Sequence, residues 1–169
     1  MKYSVTPRLR SALGLATLAL VVAFCASSCK AQFMSSPADA SALSVPQPQL
    51  IQPEALVHML QSAAAPKPLM LQVGSRVLFT ESHIPGSVYT GPGSQPSGLQ
   101  ALQSRVASVS RKQLIVLYCG CCPWNHCPNV GPAFHQLLAM GFTNVKVLYL
   151  PNNFGADWVD KGYPVEASR

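Results

Sequence analysis

Short apolar runs alternate with helix-like segments along the second two-thirds of this chain, and this alternation limits the possible fold more than any other feature. The strongest run covers residues 114–118, and similar runs occupy residues 69–73 and 145–150. Such runs are typical of buried strands, and the segments between them carry apolar side chains at helical spacing. Strands that alternate with helices predict an α/β domain whose central sheet is mostly parallel and is flanked by helices.

The bounds of the predicted helices follow from residues that favour helix ends. Pro53 is tolerated in a first helical turn, so one helix is predicted to begin there. A second helix is predicted over residues 99–109, after the Gly- and Pro-rich loop at residues 91–98. A third is expected between Asn129, as its N-cap, and Gly141, as its C-terminal cap.

The N-terminus has the pattern of an export signal. Basic residues precede an apolar stretch at residues 12–26, which is too short to span a bilayer comfortably. The following Ala26-Ser27-Ser28-Cys29 resembles a bacterial lipoprotein signal, in which the cysteine becomes the lipidated first residue. We therefore expect a signal peptide at residues 1–29, with lipidation of Cys29; ordinary cleavage after Ala31 is the alternative.

Composition divides the rest of the chain in two. Residues 30–49 are rich in Pro, Ser, Ala and Gln and predict a flexible tether. Residues 50–169 carry every strand and helix signal and predict one folded domain. The expected location is periplasmic or at the cell envelope, with a membrane as partner through the N-terminal lipid.

Charge excludes one class of partner. The formal net charge is +6, but three of the twelve basic residues lie in the first ten positions. Beyond them no run of Lys or Arg occurs, so the sequence predicts no nucleic-acid binding.

Three stretches of the domain together resemble the rhodanese-like family. They are the segment Leu71-Gln72-Val73 with Phe79 and His83-Ile84-Pro85-Gly86-Ser87; the strand that ends in Tyr118-Cys119, with a helix that ends in Gly141-Phe142; and a C-terminal set of Asn144-Val145, Leu148, Trp158 and Gly162-Tyr163-Pro164-Val165. The resemblance covers residues 50–166 and implies a three-layer α/β domain. It also implies that Cys119 is the catalytic thiol of a sulfurtransferase or persulfide carrier, which needs no cofactor. The partners would be a small sulfur donor, such as thiosulfate or mercaptopyruvate, and a thiol acceptor.

The chain departs from the family pattern around the reactive cysteine. Gln72 and Gly74 stand where the family usually has Asp and Arg, and Trp124 stands where its loop often has Arg. The stretch from Cys119 to Gly141 is also longer than in common members. The resemblance therefore implies the fold more strongly than it implies thiosulfate chemistry.

The loop that begins at Cys119 is expected to determine the reactivity of this thiol. A thiolate, not a thiol, attacks sulfane sulfur, so Cys119 needs a lowered pKa. Backbone N–H groups aimed at its sulfur before a helix N-terminus would lower that pKa, with His126 as the one loop side chain able to carry positive charge. The residues expected to form this substrate-binding loop are Gly120, Cys121, Cys122, Trp124, Asn125 and His126.

Four thiols within nine residues leave several interpretations open. Cys122 and Cys127 are candidate resolving thiols for a persulfide on Cys119, which we expect to be the essential thiol, with the other three as modulators. Alternatively, Cys119-Gly120-Cys121-Cys122 is a C-x-x-C motif of an exported thiol-disulfide protein. The first interpretation needs no metal, but Cys119, Cys122, His126 and Cys127 could instead bind zinc or copper(I) in a non-enzymatic module. A structural disulfide in the loop is the fourth interpretation.

Overall fold

The computed structural model describes residues 45–64 and 66–168. The strands are β1 Leu50–Ile51, β2 Leu69–Gln72, β3 Val88–Tyr89, β4 Ile115–Tyr118 and β5 Val145–Leu148. The α-helices are α1 Pro53–Gln61, α2 Arg76–Glu81, α3 Pro96–Val106 and α4 Val130–Ala139. Short 3-10 turns cover Gln47–Gln49 and Trp124–His126, and a π-helix covers Gly155–Val159.

The five strands form one sheet in the order β1-β5-β4-β2-β3, and every neighbouring pair is parallel. This confirms the predicted α/β class with a parallel central sheet. Gln72 pairs with Tyr118 in the register of β2 and β4, so these two central strands end level with each other. Their carboxyl ends therefore meet at one edge, where ligands bind in open parallel sheets.

Side chains from the sheet alternate between two cores. Leu71, Ile115 and Leu117 pack with α3 and α4 on one face. Met70 and Val116 pack with α1 and the π-helix on the other. The predicted three layers are confirmed, because a strand buried on both faces needs a helix layer on each side.

One predicted helix begins earlier than expected, and one helix was not predicted. Helix α3 begins at Pro96, three residues inside the segment predicted as a loop, because Pro suits the first helical turn and Gln95 before it is extended. Helix α2 was not predicted, since its six residues are too few for helical spacing to be read from the sequence.

Residues 45–49 belong to the domain rather than to the predicted tether. Val45 is 5% exposed and packs in the core on the α3 and α4 face. The carbonyl of Pro48 accepts a hydrogen bond from Lys146 Nζ at 2.6 Å. The tether prediction was thus too long at its C-terminal end, because composition does not reveal that a single Val in a Pro-rich segment is buried.

The predicted signal peptide at residues 1–29, the lipidation site Cys29 and residues 30–44 of the tether lie outside the described residues. Within the part of the chain that the structure describes, no helix has the length and apolar character needed to cross a bilayer.

Candidate active site

Cys119 lies directly after β4, beside the end of β2. The Val73 N–H donates to the Tyr118 carbonyl at 2.9 Å and carries the pairing one residue beyond β2. The backbone of Gly74 then lies so close to Cys119 that a Cβ built on Gly74 would be 2.7 Å from Cys119 Sγ. Glycine is therefore required at 74 for the thiol to occupy this position.

A buried amide holds the two strand ends together. Gln72 is 2% exposed, and its Nε2 donates to the Cys119 carbonyl at 3.3 Å. Its Oε1 accepts from the Gly74 N–H at 3.1 Å. Gln72 and Gly74 are the two residues that depart from the family pattern in the first motif, and both lie against Cys119 or its backbone.

The four loop thiols form one cluster with no disulfide among them. Cys119 Sγ lies 3.1 Å from Cys121 Sγ, and Cys121 Sγ lies 3.4 Å from Cys122 Sγ. Cys119 and Cys127 are buried, Cys122 is half-buried and Cys121 is exposed. The cluster therefore runs from the core of the domain to its surface.

Asn129 fixes the inner part of this cluster. Its Nδ2 donates to Cys119 Sγ at 3.3 Å and lies 3.7 Å from Cys121 Sγ. Its Oδ1 accepts from the Ser94 N–H and from Ser94 Oγ, at 3.1 and 2.8 Å. Asn129 is the residue before α4, as predicted, but its side chain bonds Ser94 and the sulfurs instead of capping the helix.

Two cavities adjoin the cluster. The outer cavity, of about 340 Å³, is lined by Leu78, Glu81, Ser82, Gly120, Cys121, Asn153, Phe154, Gly155 and Val159. The inner cavity, of about 10 Å³, is lined by Cys119, Gly120, Cys122, Trp124, Cys127, Val130, Leu148 and Leu150. A further cavity of about 430 Å³, between α1 and the start of β2, has no cysteine on its wall and so offers no thiol.

This architecture is similar to solved structures. The rhodanese-like domain of the Anabaena protein Alr3790 matches with a TM-score of 0.51 and 22% identity, over 70% of this chain and 79% of that one. The chain has the rhodanese-like fold. The BH2092 protein from Bacillus halodurans matches with a TM-score of 0.55 and 20% identity, over 75% and 79% of the two chains.

One further structural neighbour carries a persulfide. EanB, solved with ergothioneine and with a persulfide on a cysteine, matches with a TM-score of 0.52 and 21% identity, over 70% of this chain and 28% of that one. No protein-family model matches the sequence, and no curated protein matches it. The comparisons therefore establish the fold of the domain.

Hydrogen bonding within the cluster favours the thiolate form of Cys121. The Cys121 sulfur accepts hydrogen bonds from the Cys119 thiol and then from the Cys127 thiol, which lowers the pKa of Cys121 to about 2. The same bond to Cys121, followed by the bond to Cys127 and by burial, raises the pKa of Cys119 well above its usual value. Burial raises the pKa of Cys122. The sequence predicted the lowered pKa at Cys119, so the structure moves the thiolate two residues along the loop.

Two of the backbone donors expected around Cys119 are used elsewhere. The Trp124 N–H donates to the Pro151 carbonyl at 3.1 Å, and the His126 N–H donates to the Pro123 carbonyl at 2.9 Å. The N–H groups of Asn129 and Val130 act on the pKa of Cys127 instead. The Asn129 amide takes their place at Cys119.

Only part of the predicted substrate-binding loop lines the outer cavity. Gly120 and Cys121 do, whereas the Trp124 ring packs edge-on against Tyr149, with 5.2 Å between ring centroids. The His126 ring bonds the Asn125 side chain at 2.9 Å, rather than a thiol. The Cys122 thiol donates to the His126 carbonyl, with 3.5 Å between Sγ and the oxygen.

The alternative metal set is not assembled in this structure. Among residues 45–64 and 66–168, no three His, Cys, Asp or Glu side chains are placed to hold one metal ion. In the predicted fourth ligand, Nδ1 of His126 is engaged by Asn125 Oδ1 at 2.9 Å.

Several site residues were missed by sequence reasoning. Phe154 and Val159 wall the outer cavity although they follow Cys121 by more than thirty residues. Ser94 holds Asn129 from the loop after β3. The available signal was weak: Asn129 is a polar residue just after the cysteine loop, and its amide can donate to sulfur as well as cap a helix.

Proposed function

We propose that this rhodanese-like domain is a sulfurtransferase or persulfide carrier. The thiol cluster accepts sulfane sulfur from a small donor, holds it on Cys119 and passes it to a thiol acceptor. The observation that carries this proposal is the 3.1 Å contact between Cys119 and Cys121 sulfurs at the carboxyl end of β4, which lowers the pKa of Cys121, because sulfane sulfur is attacked by a thiolate.

Two further observations support the proposal. Cys119 follows the central strand at the sheet edge where parallel α/β domains bind ligands. EanB shares the fold and is solved with a persulfide on a cysteine. The donor and acceptor are small molecules or exposed thiols that reach the outer cavity.

Mass measurement tests the proposed activity. Incubation with a sulfane-sulfur donor should add about 32 Da to the protein, and dithiothreitol should remove this gain, which distinguishes a persulfide from a sulfinic acid. The double variant Cys119→Ser, Cys121→Ser removes the two contacting thiols and should gain no sulfur. A wild type that gains none with any donor would overturn the function, and a double variant that still loads would overturn the site.

A thiol-disulfide activity is the second candidate, favoured by the 3.1 Å contact between Cys119 and Cys121 sulfurs. It predicts a loss of about 2 Da on oxidation, because one disulfide forms at the expense of two thiol protons. Sulfur loading without that loss favours the sulfurtransferase.

We also propose that the protein is exported and anchored in the cell envelope through lipid on Cys29. The motivation is the small-residue run Ala26-Ser27-Ser28 before that cysteine. Labelled palmitate should enter the wild type but not Cys29→Ala, and equal labelling of both would contradict the anchor.

A further inference from the structure

The two contacting thiols face different spaces. Cys121 is exposed and lines the outer cavity of about 340 Å³, which is large enough for a small organic donor. Cys119 is 4% exposed and lines the inner cavity instead. A donor that enters from solvent therefore meets Cys121 first.

The volume of the inner cavity is about that of a single added atom. Its volume of about 10 Å³ is close to the smallest space that holds one water molecule. The Gly74 backbone closes the other side of Cys119, since even a methyl group there would lie 2.7 Å from Sγ. The space suits one sulfur atom on Cys119 and excludes a donor molecule.

The cluster connects the two spaces. Cys119 Sγ and Cys121 Sγ are 3.1 Å apart, and the Asn129 amide lies within 3.7 Å of both sulfurs. A sulfur atom bound to one thiol is therefore within reach of the other.

We propose that Cys121 is the outer thiol, which takes sulfane sulfur from a donor in the outer cavity and hands it to Cys119, the inner thiol. The proposal rests on the proposed sulfur-transfer function and assigns the first step to a residue that the sequence treated as a modulator. The outer cavity further selects donors whose leaving group is apolar and carries little negative charge.

The first step is a displacement at sulfur. The Cys121 thiolate attacks the outer sulfur of a thiosulfonate donor, a bond forms between the two sulfurs, and the donor S–S bond breaks. An organic sulfinate leaves with the bonding electron pair. Cys121 then carries a perthiolate, and no oxidant or reductant is consumed.

The second step moves the sulfur inward. The Cys119 thiol gives its proton to the terminal sulfur of the Cys121 perthiolate, and the Cys119 thiolate then attacks that sulfur. The bond to Cys121 breaks, which regenerates the Cys121 thiolate and leaves the persulfide on Cys119. The raised pKa of Cys119 leaves the inner thiol protonated before the donor arrives, so the first displacement falls to Cys121.

The lining of the outer cavity defines the donor class. Leu78, Phe154 and Val159 give it apolar walls, and Glu81 supplies a carboxylate. Among the described residues that line it, none is Lys, Arg or His. A dianion such as thiosulfate is therefore disfavoured against benzenethiosulfonate, which delivers the same sulfane sulfur but leaves as an aromatic monoanion.

Fragment mass spectrometry after a short exposure to benzenethiosulfonate tests the transfer. The wild type should carry its extra sulfur on Cys119, and Cys119→Ser should trap it on Cys121. Cys121→Ser should load Cys119 at least about tenfold more slowly, because the inner thiol is 4% exposed and faces a cavity too small for the donor. Urea unfolding of Cys121→Ser is measured beside the wild type, and loading is compared only where both are fully folded, which separates lost chemistry from lost folding.

The outcomes distinguish the two proposals. If Cys121→Ser loads Cys119 at the wild-type rate, the outer-thiol assignment is wrong while the sulfur-transfer function stands. If Cys119→Ser carries no sulfur on Cys121, the first step is also wrong. If the wild type carries sulfur on neither residue, the proposed function itself fails.

The donor class has its own test. Loading rates with benzenethiosulfonate and thiosulfate are each divided by the rate with free glutathione, and the corrected rate should be higher for benzenethiosulfonate. Glu81→Gln should raise the thiosulfate rate about threefold at low salt, with a smaller gain at high salt. Asp160→Asn removes an exposed carboxylate outside the cavity and is the control. Faster corrected loading by thiosulfate, or equal effects of both variants, would overturn the donor class.

Discussion

Cys119 and Cys121 are separated by a single glycine, yet one is buried and the other is exposed. Cys119 is buried against Gly74 and accepts a hydrogen bond from the Asn129 amide, whereas Cys121 is exposed and accepts hydrogen bonds from its thiol neighbours. Burial penalises a charged thiolate, and hydrogen bonds to sulfur stabilise it. The exposed residue therefore carries the charge, and the buried one carries the proton.

This difference predicts an unusual pH dependence of alkylation. Because the pKa of Cys121 is lowered to about 2, its thiolate persists above that value and is lost only as the pH falls toward it. Iodoacetamide should therefore label Cys121 at a nearly constant rate from about pH 9 to about pH 5, whereas an ordinary thiol loses about tenfold per unit below about pH 8.5. Cys122 in the same peptide is the internal comparison, since its pKa is raised. A Cys121 rate that falls with a midpoint near pH 8.5 would contradict this distribution of charge.

At the scale of elements, the turn after β4 is fixed to the segment before the π-helix. The Phe154 N–H donates to the Gly120 carbonyl at 3.0 Å, and a Cβ on Gly120 would lie 2.5 Å from Phe154 Cβ. Gly120 also has a φ of 73°, which side chains disfavour. Because Phe154 and Gly155 wall the outer cavity, this contact sets the distance between the thiolate and the opposite wall.

Substitution of Gly120 should therefore affect both stability and loading. Gly120→Ala is expected to cost more than the roughly 1–2 kcal/mol of a left-handed non-glycine residue, because Phe154 must also move. Gly162→Ala is the matched control, since Gly162 has the same φ of 73° with nothing within 4 Å of its Cβ position. Urea unfolding should show the larger loss in Gly120→Ala, and only that variant should load sulfur more slowly. Equal losses would show that the close contact with Phe154 is unimportant.

At the scale of the whole molecule, the sheet edge formed by β1 depends on the residues before it. β1 has two residues and, within residues 45–64 and 66–168, pairs with β5 alone. Val45 packs in the core, and the Gln49 N–H closes a turn to the Pro46 carbonyl at 2.8 Å. The preceding segment thus stabilises an edge strand that is too short to be stable on its own.

Two truncated chains test this dependence. A chain that begins at residue 45 should unfold cooperatively. A chain that begins at residue 50 should be less stable by about 1–3 kcal/mol, because it loses the burial of the Val45 side chain. Urea unfolding of both measures the difference. Equal midpoints and slopes would mean that Val45 contributes nothing to the fold.

The sequence alone determined the α/β class, the parallel sheet and the place of Cys119 after the central strand. These follow from local patterns: the apolar run at residues 114–118, the Pro at helix starts and the alternation of elements. Side chains within such runs have few alternatives to burial, so local pattern and final position agree.

Only the tertiary structure decided which thiol is charged and which space each one faces. The Cys119 environment is made by Gln72 at the end of β2 and Gly74 just beyond it, by Asn129 before α4, and indirectly by Ser94. Phe154 and Val159 wall the cavity at Cys121 from a distant segment. Exposure and hydrogen bonding set a thiol's pKa, and both depend on groups that the chain brings together only when it folds.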